Sequence, residues 1–147
     1  IYSFLKKKIN KVFYFKDNLE ITKFDLKTNN KKKLNIIISK SGNTLETIFN
    51  SNILIKKTSK NIFITENKQS YLFDLAKKLK SEIIYHNNFI GGRYSVLSEV
   101  GMLPAELMGL NPRKFRRFNL LIKNKVFINS LIQNVANILY LIKKKKN

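Results

Sequence analysis

The chain has 147 residues, 44% of them hydrophobic, with no cysteine, one histidine and a formal net charge of +20. That is enough apolar material for one domain with a core. The missing cysteines exclude disulfides, thiolate catalysis and Cys-based metal sites, and the lone His86 excludes a His-rich metal centre, so neither a metal nor a cofactor is expected.

A charge this positive invites a nucleic-acid reading. Here 25 lysines in scattered runs accompany 19 asparagines and 19 isoleucines, the bias of a very AT-rich coding sequence. Charge runs of this kind decorate solvated surface, so no nucleic-acid partner is expected.

Residues 1–5 lack a starting Met, a basic n-region and a cleavage site, so they are not a signal peptide. A chain that begins at Ile1 reads as a fragment of a longer, cytoplasmic protein. The spacing predicts the end of a helix over residues 1–9 and a strand over 11–15 (KVFYF), with Tyr2, Phe4, Phe13 and Phe15 in the core. A short helix is expected over residues 19–24, then a lysine-rich loop.

Residues 34–38 (LNIII) have the pattern of a strand buried on both faces. A helix follows with Leu45, Ile48, Phe49 and Ile53 on its apolar stripe. Residues 61–65 (NIFIT) predict a second strand. Ser70 reads as the N-cap of a helix with Leu72, Leu75, Ala76 and Leu79 on one face. Residues 82–85 (EIIY) predict another strand.

Strand, helix, strand, helix, strand at this spacing predicts an α/β fold with a doubly wound parallel sheet. Beyond Arg93 the pattern is helical, with Val96, Val100, Leu103 and Leu107 on one side and Gly101 allowing close packing. Pro104 is expected to open a second helical turn, and Gly109 with Asn111-Pro112 to end it. Residues 113–125 read as a basic connector. Residues 126–142 predict a last helix, striped by Phe127, Leu131, Val135, Ile138 and Ile142. No run approaches 18 apolar residues, so no membrane span is expected. The predicted division is an α/β domain over 1–112 and a helical extension over 113–147.

Two segments carry chemistry. Ser39-Lys40-Ser41-Gly42-Asn43-Thr44 joins a strand directly to a helix, bringing three hydroxyls and an ammonium to a helix N-terminus, where a phosphate monoester is favoured. Helix capping alone would use fewer of these groups. Phe89-Ile90-Gly91-Gly92-Arg93-Tyr94-Ser95 makes a second glycine turn with an arginine expected to be buried. In a parallel sheet both segments lie beyond the carboxyl ends of strands, where ligands bind, so they can face one ligand. The bland alternatives are an Arg93 ion pair with Glu99 or Glu106, and an ordinary loop-edge role for His86.

SKSGNTLETI resembles the phosphate loop of sugar isomerase (SIS) domains. FIGGRYSVLSEVGMLPAELMG resembles the Gly-Gly-Arg stretch of the glucose-6-phosphate isomerase family, and the two occur in the family's order over residues 34–111. The resemblance implies interconversion of glucose 6-phosphate and fructose 6-phosphate through a cis-enediol. Ser39, Lys40, Ser41 and Thr44 match the phosphate-binding positions, and Arg93 the active-site arginine. Gly91 and Gly92 would let the backbone approach the sugar. The family's first glycine loop, its glutamate base in a Glu-Ser-x-Gly-Lys-like segment, its ring-opening histidine and its late lysine have no match here. The resemblance thus implies half an active site, a sugar-phosphate ligand and a homodimer in the longer protein. A noncatalytic phosphosugar-binding module is the alternative, for which the first loop would suffice.

Overall fold

The apolar runs at residues 34–38, 61–65 and 82–85 all become strands, because each carries β-branched or aromatic side chains at positions that can be covered from both sides. The computed structural model describes residues 13–17, 33–56, 59–115, 117 and 119–145. Within them β1 (Leu34–Ile38), β2 (Lys60–Glu66) and β3 (Glu82–His86) form one parallel sheet in the order β1-β2-β3. The crossovers are α1 (Leu45–Leu54) and α2 (Tyr71–Lys78).

Register decides which side chains meet. Ile37 pairs with Phe63, and Phe63 with Ile83, so the three share one face of the sheet. Ile48 and Ile55 at the two ends of α1 pack there, as do Leu72, Leu75, Ala76 and Leu79 from α2 and its C-cap. Both crossover helices therefore cover the same face. The opposite face carries Ile64 and Ile84, and beyond them His86. His86 bonds Glu99, the first residue of α3 (Glu99–Leu107), which holds that helix against β3. Helices thus flank the sheet and the α/β class holds. Among the described residues the strand order never reverses, so doubly wound topology is not displayed there.

Several local expectations change. Residues 13–17 are irregular rather than a strand, and Tyr14 and Phe15 are exposed. Strand propensity reflects packing on a neighbouring strand, and among the described residues the sheet consists of β1, β2 and β3 alone. The helices expected over 1–9 and 19–24, with Tyr2 and Phe4, lie outside the described residues.

In α1 the sheet-facing line is Ile48, Ser51 and Ile55, at i, i+3 and i+7, which leaves Leu45 and Phe49 exposed. Past Arg93 the chain first makes a 3₁₀ segment, Gly92–Leu97, and only then α3, capped by Ser98, whose hydroxyl oxygen accepts from Val100 N–H. The buried line of α3 is Met102, Ala105 and Met108, while Val96 is exposed. Pro104 sits inside α3 instead of opening a new turn. Gly101 does permit close packing, since a Cβ there would lie 2.0 Å from the Val96 carbonyl oxygen. Gly109 ends the helix in the left-handed region, with Leu110 N–H donating to Ala105 and Gly109 N–H to Glu106.

The chain divides into two compact units, up to Leu110 and from Asn111. The second holds α4 (Pro112–Phe115), α5 (Asn119–Lys123) and α6 (Lys125–Lys144), so the stretch expected as a connector is partly helical. Asn124 caps α6 by accepting from Phe127 N–H. The expected stripe from Phe127 to Ile142 does lie on one side of α6, and it is exposed within this unit. By length and composition alone α6 is long and apolar enough to cross a membrane, a looser criterion than the unbroken apolar run sought in the sequence. Asn129, Gln133, Asn134 and Asn137 interrupt it.

Phe63 anchors the sheet core with no exposed surface. Phe63→Ala should cost about 3–5 kcal/mol of unfolding free energy, read by denaturant titration. A loss below about 1 kcal/mol would contradict the packing described.

Candidate functional site at the strand ends

β1 delivers Ser39 to the carboxyl edge of the sheet, and the loop that follows is strapped to its neighbours by hydrogen bonds. Ser39 N–H donates to Ile64 O and Glu66 N–H to Lys40 O, both at 3.0 Å, continuing the strand pairing past the end of β1. The Thr65 hydroxyl also donates to Lys40 O. On the far side the loop caps α2. Leu72 N–H donates to Gly42 O at 3.0 Å, and Tyr71 N–H to Asn43 Oδ1 at 2.9 Å.

Gly42 takes φ +67°, and a Cβ there would lie 2.1 Å from the Ser70 oxygen. This is the one residue of the loop that only glycine can fill.

The hydroxyls do not cap α1. Thr44 is the N-cap residue, yet its side chain makes no capping bond. Instead Thr44 Oγ1 and Ser39 Oγ lie 2.8 Å apart and share a hydrogen bond. Ser39 Oγ, itself buried, accepts from Gly42 N–H, and Ser41 Oγ accepts from Asn43 N–H. Thr44 and Ser41 are exposed. The first-turn amides of a helix have no acceptor within it, and here the Thr44 hydroxyl is not turned back to them.

Lys40 ties this loop to the second one. Its Nζ donates to Asn88 O and Ile90 O, both at 3.0 Å, and stands 3.3 Å from Glu66 Oε1. The expectation that both strand-end segments can face one ligand thus has a physical bridge. The second loop is also pinned from beneath. His86, only 3% exposed, places Nε2 3.0 Å from Ile90 O and Nδ1 against a carboxylate oxygen of Glu99.

This overturns the ordinary loop-edge reading of His86, because both ring nitrogens are engaged. It also occupies Glu99. Among the described residues neither Glu99 nor Glu106 pairs with Arg93. Arg93, expected to be buried, is exposed on the 3₁₀ segment, and its ion-pair alternative is not realised.

Gly91 adopts ordinary extended backbone, φ −64° and ψ 144°, with the Tyr94 ring 3.3 Å from where its Cβ would be. Nothing lies within 4 Å of a Cβ at Gly92. Among the described residues no group of three or more His, Cys, Asp or Glu could hold a metal ion.

Sequence reasoning passed over Glu66, gave Asn43 no role of its own, and set Glu99 against Arg93 rather than against His86. Glu66 ends β2 on the same sheet edge as Lys40, and His86 follows Ile84 by two in β3, so strand alternation was the available signal for both.

Gly42→Ala should lower unfolding free energy by at least about 1–2 kcal/mol, the cost of a left-handed L-residue before any clash. Gly92→Ala should stay within about 0.5 kcal/mol of wild type. Equal stability of the two variants would contradict this loop geometry.

No family model matches the chain. Curated relatives do. The glucose-6-phosphate isomerase of Mycoplasma genitalium is 34% identical over 116 residues, 73% of this chain and 27% of that protein. That of Mycoplasmopsis pulmonis is 30% identical over 141 residues, 86% of this chain and 33% of that protein. That of Carboxydothermus hydrogenoformans is 36% identical over 87 residues, 53% of this chain and 19% of that protein. The chain spans a third or less of the length of these relatives. Over most of its own length, then, this chain is similar to one portion of proteins named glucose-6-phosphate isomerase.

Proposed function

We propose that this chain supplies the phosphosugar-binding part of an aldose–ketose isomerase active site, acting on glucose 6-phosphate and fructose 6-phosphate. The observation that carries this reading is the Lys40 bridge, which ties the hydroxyl-rich loop and the Gly-Gly-Arg turn at one sheet edge. The names of the relatives supply the reaction class.

In this reading the phosphate sits at the start of α1. Ser39, Ser41 and Thr44 donate hydroxyl hydrogens to its oxygens, the first-turn amides add theirs, and Lys40 contributes positive charge at the loop's edge. The uncapped Thr44 supports it: its hydroxyl is not committed to the helix, and in its shared bond with Ser39 one hydroxyl donates to the other, which leaves the second hydrogen of the pair for a ligand. Anchored there, the sugar's C1 and C2 lie over the second loop, where open space above Gly92 lets the backbone come near. Arg93, always cationic and unpaired among the described residues, stabilises negative charge on the enediolate oxygen as a proton moves between C1 and C2. The base that moves this proton lies outside these residues. A cytoplasmic setting and a homodimeric assembly belong to the same proposal.

The test is isomerisation of fructose 6-phosphate by the open reading frame that carries this chain. Arg93→Ala should lower kcat by about 10²–10³-fold. The 147-residue chain alone should bind sugar phosphate without turnover, since general acid–base catalysis is worth about 10²–10⁴-fold. Absence of activity in the whole reading frame, with binding that still depends on Ser39 and Thr44, would replace the isomerase by a noncatalytic phosphosugar-binding module.

A further inference from the structure

The carbonyl oxygen of Ile90 is the meeting point of two side chains from different parts of the fold. Lys40 Nζ reaches it from the loop after β1, and His86 Nε2 from the end of β3, each at 3.0 Å. A carbonyl only accepts, so His86 Nε2 is a donor here. Behind each donor stands a carboxylate, Glu66 behind Lys40 and Glu99 behind His86. The result is a continuous chain from the end of β2, through Ile90, to the start of α3. Ile90 directly precedes Gly91, Gly92 and Arg93. Its own N–H donates to Asn87 O, and Tyr94 N–H donates to Gly91 O.

We infer that Lys40 and His86 are positioning residues that clamp the Ile90 carbonyl and thereby fix the turn from which Arg93 projects. Two donors on one acceptor, approaching from separate elements, restrict the peptide plane in a way that one bond does not. Because Lys40 belongs to the first loop, the clamp also couples that loop to the placement of Arg93. In isomerisation this would keep the guanidinium at a fixed distance from the phosphate anchor. That consequence rests on the proposed function, whereas the clamp itself does not.

The test is amide hydrogen exchange by NMR on the 147-residue chain without ligand, for wild type, Lys40→Met, His86→Leu and the double variant. Each single change should speed exchange of the Ile90 and Tyr94 amides by about tenfold or more, the loss expected for a hydrogen bond to a charged or buried donor. The amides of β2 serve as the internal control and should keep their rates in Lys40→Met. The double variant should exchange less quickly than the product of the single effects, since both donors act on one oxygen.

His86 is buried, so its replacement can lower global stability. Lys40, on the rim, decides the matter. Turn amides that move no more than β2 amides in Lys40→Met would overturn the clamp. Lys40→Arg, which keeps a cation able to donate twice, should restore most of the protection.

Inorganic phosphate added afterwards separates the two readings. If it shifts Thr44 in both proteins but shifts Arg93 only in wild type, coupling stands. If it shifts Arg93 equally in Lys40→Met, the coupling is refuted. If it shifts neither loop in any protein, the phosphate reading fails and the exchange data alone judge the clamp.

Discussion

One ammonium group joins the two loops at the carboxyl edge of the sheet. Lys40 Nζ lies between the Glu66 carboxylate and the carbonyls of Asn88 and Ile90, at 3.0–3.3 Å from each. Parallel strands make this possible, since all of them end at one edge and their outgoing loops must share it. Topology brings the two loops near; it does not by itself fix their separation. A cation with three donors, offered one carboxylate and two carbonyls, does. A surface ion pair alone contributes little, and the carbonyl bonds are what give Lys40 its directional role.

The first loop follows the same logic of committed and uncommitted groups. Its backbone carbonyls are used, Lys40 O by Glu66 N–H and Thr65, and Gly42 O by the start of α2. Asn43 is used as a cap for α2 as well. What remains at the rim includes the Ser41 and Thr44 hydroxyls and the first turn of α1, groups able to donate. A loop that turns Lys40 O and Gly42 O into the protein and keeps donors at its rim is suited to an anion. Gly42 makes the geometry possible, because its positive φ turns the chain against Ser70 without a side chain in the way.

Much of this was legible in the sequence. Continuous β-branched runs announced three strands, and the stripe on α2 and its C-cap named the four side chains that pack on the sheet core, because they coincide with one face of a well-capped helix; it missed the buried Phe73. α1 was harder. Two lines compete on it, Leu45-Ile48-Phe49-Ile53 and Ile48-Ser51-Ile55, and only the sheet decides for the second. Residues 13–17 show the reverse failure: a strand-like stretch that is irregular, with Tyr14 and Phe15 exposed. Lys40 was marked as part of the loop, but its grip on the second loop spans fifty residues and leaves no local trace. His86 was dismissed for want of a partner, and its partner Glu99 stands thirteen residues away in α3. Long-range polar contacts are what periodicity cannot carry.

Two strand-end loops that form one phosphosugar site, as proposed, must answer a ligand together. The most direct test is a titration of the 147-residue chain with fructose 6-phosphate, followed residue by residue in amide NMR spectra. Amides of the loop from Ser39 to Leu45 and of the turn from Gly92 to Tyr94 should shift together, with one saturation curve. Shifts confined to the first loop, or spread over the lysine-rich surface without saturation, would contradict a shared site.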